Sequence, residues 1–263
     1  MPDIEFLLHP HWSGVAPEPE PAAKYLPSWY RELEMEFMSV NADGAPMPDR
    51  TLRRCMPFLD AMQMGYVLRL PSRVYVQATD NTVQFSWGSI RWGLVDKHDD
   101  RQFEGSNWGD FGIFKWVQPW FVKTPPGYSV AFLPLLNRHP YDALYYPGAQ
   151  SDSGEISKTA LFECLAGVVE TDTYPAMVNF PFRWLRPNWS GWINQGEPLV
   201  QVFPFRREDW GMSIGEATQD DLKADYMVSV GAQATENYYK GQFRRRKSWN
   251  RRSPEGSDQG SDV

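Results

Sequence analysis

The chain has 263 residues, of which 42% are apolar, 22% charged and 15% aromatic, with 22 prolines and 20 glycines. That length accommodates one β-rich domain, and so much Pro, Gly and aromatic residue favours short strands and turns over long helices. The formal charge of −7 is uneven: residues 240–263 hold seven of the 26 cations and three of the 33 acids, leaving 19 against 30, a net −11, in residues 1–239. An acidic body therefore precedes a basic segment. Two cysteines, Cys55 and Cys164, exclude a disulfide framework and a cysteine-built metal centre, and reduced, buried thiols are expected. No apolar run reaches the length of a membrane-spanning helix, and the N-terminus lacks the basic and apolar regions of a signal peptide. A cytoplasmic protein with no membrane partner is the expectation.

In chain order, Ile4 to Leu8 reads as a strand, followed by His9-Pro-His11. Two histidines at this spacing can share a strand face, but Pro10 separates them and no acid or thiol completes a metal set, so no metal site is assigned. Residues 15–23 read as an extended connector. Ser28 is placed as the cap of a helix from Trp29 to Met38, and Asn41 to Asp49 as a loop. The spacing of Leu52, Cys55, Met56, Leu59 and Met62 predicts a helix that starts or kinks at Pro57 and stops at Gly65. Tyr66 to Leu70, Val74 to Gln77 and Val83 to Trp87 read as strands of an antiparallel meander, with a further strand within Ile90 to Asp96.

Residues 98–110 read as an exposed loop, Phe111 to Lys123 as a buried apolar run, and Ser129 to Leu136 as a buried strand. Asn137 to Ser157 is loop-like, and Leu161 to Val169 resumes strand character. Trp184, Trp189 and Trp192 fall on a long hairpin or lid. Thr218-Gln-Asp-Asp opens the longest helix, with Thr218 as cap and acids in the first turn, where the helix dipole favours them. That helix is expected to run past Tyr238 into the basic residues. Ser253 to Val263 reads as a disordered end. The domain assignment is one β-rich unit over 1–239, with helical decoration at about 24–65, then a tail over 240–263.

Several residues suggest chemistry. Pro125-Pro-Gly-Tyr128 and its strand, Gly167-Val-Val-Glu-Thr-Asp-Thr-Tyr174, Asn179, and Gly196-x-x-x-x-Gln201 together resemble the dUTPase and dCTP-deaminase β-clip family. The likeness covers roughly residues 122–207. It implies a mainly β fold, a β-clip or related antiparallel barrel or sandwich with short N-terminal helices and a C-terminal helix. It also implies an acid that activates water and a tyrosine that stacks on the sugar, which map to Glu170 and Tyr174, with Asp172 between them and Mg²⁺ as cofactor. Tyr128, Asn137, Arg138, Asn179, Gln201, Arg206 and Arg207 are the accompanying ligand-binding candidates. Here Thr173 adds a residue between Asp172 and Tyr174, which in a strand reverses the face of the tyrosine.

Over nearly its full length the chain is similar to an uncharacterised family found in tailed-phage genomes, including those of cyanophage type. Leu26-Pro-Ser-Trp-Tyr30, Cys55-Met-Pro-Phe-Leu-Asp-Ala-Met62, Lys115-Trp-Val-Gln-Pro-Trp120 and Asn179-Phe-Pro-Phe182 carry that likeness. It implies an accessory or structural protein, located in the host cytoplasm or the virion. A third reading takes His98, Asp100 and His139 as the two histidines and carboxylate of an iron and 2-oxoglutarate oxygenase, although no arginine follows His139 to hold the cosubstrate. Serine-nucleophile and phosphate-loop motifs are absent. Lys240, Arg244, Arg245, Arg246, Lys247, Arg251 and Arg252, with Trp249 interleaved, suit nucleic acid or an acidic protein partner. The leading expectation is a non-catalytic binding protein that forms a homo-oligomer. A diverged deoxynucleoside triphosphate hydrolase is the second.

Overall fold

The computed structural model describes residues 2–88, 93–105, 111–137, 150–151, 160–234, 238–245 and 247–250. Strand β1 (Glu5–Leu8) is followed by β2 (Glu20–Pro21), helix α1 (Ser28–Glu32) and a hairpin of β3 (Glu36–Val40) and β4 (Pro46–Arg50). This corrects the expected helix to Met38 and the loop to Asp49. Pro27, not Ser28, precedes the helix, and the chain turns at Asn41. The Asn41 Oδ1 accepts from the backbone N–H groups of Asp43 and Ala45 at 3.1 and 2.8 Å, and Gly44 takes a φ of 77°. This side-chain-directed turn brings the flanking residues into register as strands.

Helix α2 (Met56–Gln63) carries Pro57 in its first turn, where a missing N–H is tolerated. Then come β5 (Tyr66–Arg69), β6 (Val74–Ala78), β7 (Val83–Ser86), β8 (Val95–Lys97), β9 (Ile113–Trp116), β10 (Trp120–Lys123) and β11 (Tyr128–Leu133). They are followed by β12 (Gln150–Ser151), β13 (Phe162–Cys164), β14 (Gly167–Val169), β15 (Phe180–Trp184), β16 (Ser190–Ile193) and β17 (Pro198–Arg206). Helices α3 (Gln219–Ala234) and α4 (Tyr238–Gln242) close the described chain.

The fold is mainly β and built from open antiparallel sheets. A five-stranded sheet runs β14-β11-β17-β5-β2, and two four-stranded sheets run β12-β16-β6-β7 and β13-β15-β9-β8. Two-stranded pairs β1-β10 and β3-β4 complete it. The meander expected for β5, β6 and β7 is half right. β6 and β7 pair, but β5 lies between β17 and β2. The chain changes sheet at Pro71: Leu70 N–H still bonds the Glu197 carbonyl at 2.7 Å, while the Pro71 carbonyl accepts from Gln195 Nε2 at 3.1 Å.

The apolar runs 111–123 and 161–169 each divide into two strands of different sheets, at Gln118-Pro119 and at Leu165-Ala166. Trp184 and Trp189 are buried, Trp192 is half-buried, and β15 and β16 belong to different sheets, so the expected long hairpin or lid is part of the packed sheets instead. The four-stranded sheets face each other through aromatic rings. Phe182 stacks on Trp116 with centroids 4.3 Å apart, and Phe85 of the opposite sheet meets Phe114, Trp116, Phe182 and Trp184 edge-on. Such edge and stacked pairs add to the stabilisation that burial alone supplies. Phe132 against Phe180, at 5.3 Å, joins the five-stranded sheet to this core. Cys164 is buried, and that burial raises its thiol pKa, whereas Cys55 is half-exposed and departs from the expected burial.

Candidate functional site

The three segments of the β-clip resemblance lie on adjacent strands, because β11 pairs with β14 on one side and β17 on the other. Their polar residues gather into two clusters at opposite ends of the β11–β17 ladder. Tyr128 faces Arg206 at one end and Leu133 faces Gln201 at the other, a separation of about 17 Å at strand rise.

At the first end, two turns meet the end of β17. The Thr124 and Thr171 hydroxyls lie 2.7 Å apart, and Thr124 Oγ1 donates to the Tyr128 carbonyl at 3.1 Å. Asp172 lies on a tight turn in which the N–H groups of Thr173 and Tyr174 both bond the Glu170 carbonyl, at 3.0 and 2.8 Å. Its carboxylate accepts from Gly127 N–H at 2.9 Å and from both terminal nitrogens of Arg207, Nη1 at 2.8 Å. Arg207 Nη1 also donates to the Tyr128 carbonyl and to Ser129 Oγ, each at 3.0 Å. The two-pronged ion pair thus binds the 124–128 turn, the 170–174 turn and the end of β17 into one corner. The Arg207 guanidinium, with the Gly127 N–H, holds the Asp172 carboxyl down to about 2.

Glu170 and Tyr174 face solvent rather than the core; Tyr174 is 44% exposed. Glu170 is close enough for its charge to act on Arg207. Arg206 is exposed and pairs with Glu208 at 3.4 Å. Thr124, Ser129 and Thr171 carry no sequence signal for this corner, since small hydroxyls in turns are common; only the tertiary approach of the turns reveals them.

Because its folded pKa is depressed, Asp172 stabilises the fold while ionised. That contribution is complete above the ordinary aspartate range and disappears as pH falls toward about 2. The melting temperature is expected to fall by several degrees more between about pH 5 and pH 2 in the wild type than in Asp172→Asn, as read by thermal circular dichroism. Equal slopes in the two proteins would show that the pair contributes nothing.

At the second end, Gln201 is fully buried. Its Nε2 donates to the carbonyls of Ala61, at 2.9 Å, and Met64, and its Oε1 accepts from Leu136 N–H at 3.3 Å. Asn137, in the left-handed region at φ 54°, donates from Nδ2 to the Phe58 carbonyl at 3.1 Å. These bonds satisfy carbonyls of α2 and hold it on the sheet. Asn179 stands apart from both clusters, accepting from Gln118 N–H at 3.3 Å. Arg138 lies outside the described residues.

In the basic segment, Arg244 donates to both carboxylate oxygens of Asp60 in α2, from Nε at 3.1 and 3.0 Å. Trp249 meets Tyr66 and Phe203 at 6.0 and 5.8 Å. These two residues anchor the segment, while Lys240, Arg245 and Lys247 are exposed. Arg246, Arg251 and Arg252 fall outside the described residues, as does the expected disordered end from Ser253. Helical structure extends past Tyr238 to the first cation of the run, Lys240, and stops at Gln242, short of the arginines; residues 235–237, between α3 and α4, lie outside the described residues.

Of the oxygenase set, His98 Nδ1 is 2.7 Å from Gln102 Oε1 and Asp100 pairs with Lys97, while His139 is not described. Among the described residues, no group of three or more His, Cys, Asp or Glu side chains could hold a metal ion. No described helix is long and apolar enough to cross a membrane. No protein-family model and no curated protein matches the chain.

Proposed function

We propose that this chain is a non-catalytic accessory or structural binding protein of the tailed-phage kind, which works by assembling with further copies of itself. The observation that carries this reading is the Asp172–Arg207 corner. Asp172, one of the three catalytic candidates with Glu170 and Tyr174, is held ionised by an arginine and a backbone N–H, and a carboxylate so far below neutral pKa is a poor base. Gln201 and Asn137, ligand candidates by resemblance, hold α2 instead. A β-clip relationship is supported by the placement of the three motif segments on neighbouring strands β14, β11 and β17. The host cytoplasm or the virion is the location that goes with this reading.

The second reading, a diverged Mg²⁺-dependent nucleotide hydrolase, draws on one observation: Glu170 and Tyr174 remain open to solvent, Glu170 within reach of the Arg207 charge. A pyrophosphate-release screen over deoxynucleoside triphosphates with Mg²⁺ decides between them. The expected result is no turnover above a protein-free control. Turnover that Glu170→Gln abolishes would replace the first reading with the second.

A further inference from the structure

The chain leaves the body at Arg207, which is tied to Asp172, and returns at Arg244 and Trp249, which are tied to Asp60 and to Tyr66 and Phe203. Every residue from Arg206 to Val230 between these anchors is exposed. Within that excursion Trp210, Met212 and Ile214 stand 87%, 88% and 89% exposed. They alternate with Gly211 and Ser213, a spacing that shares one face wherever the backbone is extended. Helix α3 then presents Leu222, Tyr226 and Val230, one stripe at i, i+4 and i+8, also to solvent. An isolated helix of about this length is marginal in water, and so many large apolar side chains exposed along one excursion suit an interaction surface.

Charge identifies the occupant. From Glu208 to Asp225 the excursion carries Glu208, Asp209, Glu216, Asp220, Asp221 and Asp225 against the single cation Lys223. The stretch from Tyr238 to Asn250 contains no acid, and its described exposed cations are Lys240, Arg245 and Lys247. Gly231 lets the two ends meet: a Cβ there would come within 2.5 Å of the Tyr238 ring, so α4 packs closely against the far end of α3. The excursion is therefore acidic at its start and basic at its end, with exposed apolar side chains between. Such a surface is complementary to itself when turned through a two-fold axis.

We infer that residues 208–247 are a dimerisation arm, whose acidic start docks on the basic α4 end of a second copy. This rests on the reading that the chain works by assembly. At about 150–250 Å² per aromatic side chain, the exposed parts of Trp210, Tyr226 and Phe243 alone offer roughly 400 Å², about half the ~800 Å² share of one partner in a standard interface, and Met212, Ile214 and Leu222 add to it.

Sedimentation of the full chain at low and high salt tests the arm. The wild type is expected to sediment as two copies and to weaken at least tenfold as salt rises. The triple variant W210A/M212A/I214A is expected as a monomer with unchanged circular dichroism. D220K/D221K/D225K and K240E/R245E/K247E should each dissociate alone and form a heterodimer when mixed. A monomeric wild type, or an oligomer that all three variants preserve, overturns the arm. So does DNA that binds the wild type in a salt-dependent way and is lost in K240E/R245E/K247E, because the cations would then serve nucleic acid. The pyrophosphate screen on the same samples reads the catalytic question separately. An arm that fails while turnover stays absent leaves the non-catalytic reading in place.

Discussion

Gly65→Ala is expected to destabilise the fold by about 2–5 kcal/mol, with about 1–2 from the left-handed backbone and 1–3 from overpacking. Gly65 follows α2 with a φ of 75°, and a Cβ there would lie 2.0 Å from the Val202 carbonyl oxygen. That oxygen belongs to the backbone of β17, the central strand of the five-stranded sheet, so it cannot rotate away as a side chain would. Either β17 moves, disturbing its pairing with β5 and β11, or α2 lifts off the sheet. Urea denaturation followed by circular dichroism reads the loss as a lower midpoint. A midpoint within about 1 kcal/mol of wild type would mean that α2 does not approach β17 this closely.

Gln201→Leu is expected to cost at least about 3 kcal/mol, because two carbonyls and one N–H lose their partner and each such loss costs about 1–3 kcal/mol. Gln201→Glu separates hydrogen bonding from shape. A carboxylate can still accept from Leu136, but it faces the carbonyls of Ala61 and Met64 with no proton to donate. Burial then raises its folded pKa above the ordinary glutamate value of about 4.3. With a raised folded pKa the protonated form is the one the fold accommodates. The penalty is therefore least below about pH 4 and grows as pH rises toward neutrality. Urea midpoints at pH 4 and pH 7 check this. A penalty independent of pH, or a stable Gln201→Leu, would leave the side chain free for a ligand.

Features whose cause lies within a few residues were legible beforehand. Pro57 in the first turn of α2, Gly65 after its end, and Thr218 as the cap of α3 all follow from local backbone chemistry. The cap is made as expected: Thr218 Oγ1 accepts from Asp221 N–H at 3.2 Å, and the Asp221 carboxylate accepts from Thr218 N–H at 2.8 Å. The β6–β7 hairpin was legible for the same reason, its turn lying between the strands it joins. The β3–β4 hairpin was missed because Glu36 to Val40 can follow a helix by propensity, and the deciding Asn41 bonds are turn chemistry rather than periodicity.

The candidate site divides along the same line. Glu170, Asp172, Tyr174 and Gln201 were singled out through the resemblance to the β-clip family. Their roles were not legible, because Arg207 meets Asp172 across 35 residues and Gln201 meets Ala61 across 140. The exposed arm was also missed, although Trp210, Met212 and Ile214 alternate within a polar stretch. In a sequence, alternation looks the same whether a strand is half-buried or bare.

A mainly β chain, the β6–β7 turn, the cap of α3 and the separation of charge were legible without the fold, since each depends on local backbone preference or simple composition. Only the tertiary structure decided which strands pair, how the two long apolar runs divide between sheets, and whether a polar side chain holds the fold or faces solvent. Those outcomes depend on which distant backbone groups need partners once the sheets pack, and local periodicity carries no record of that.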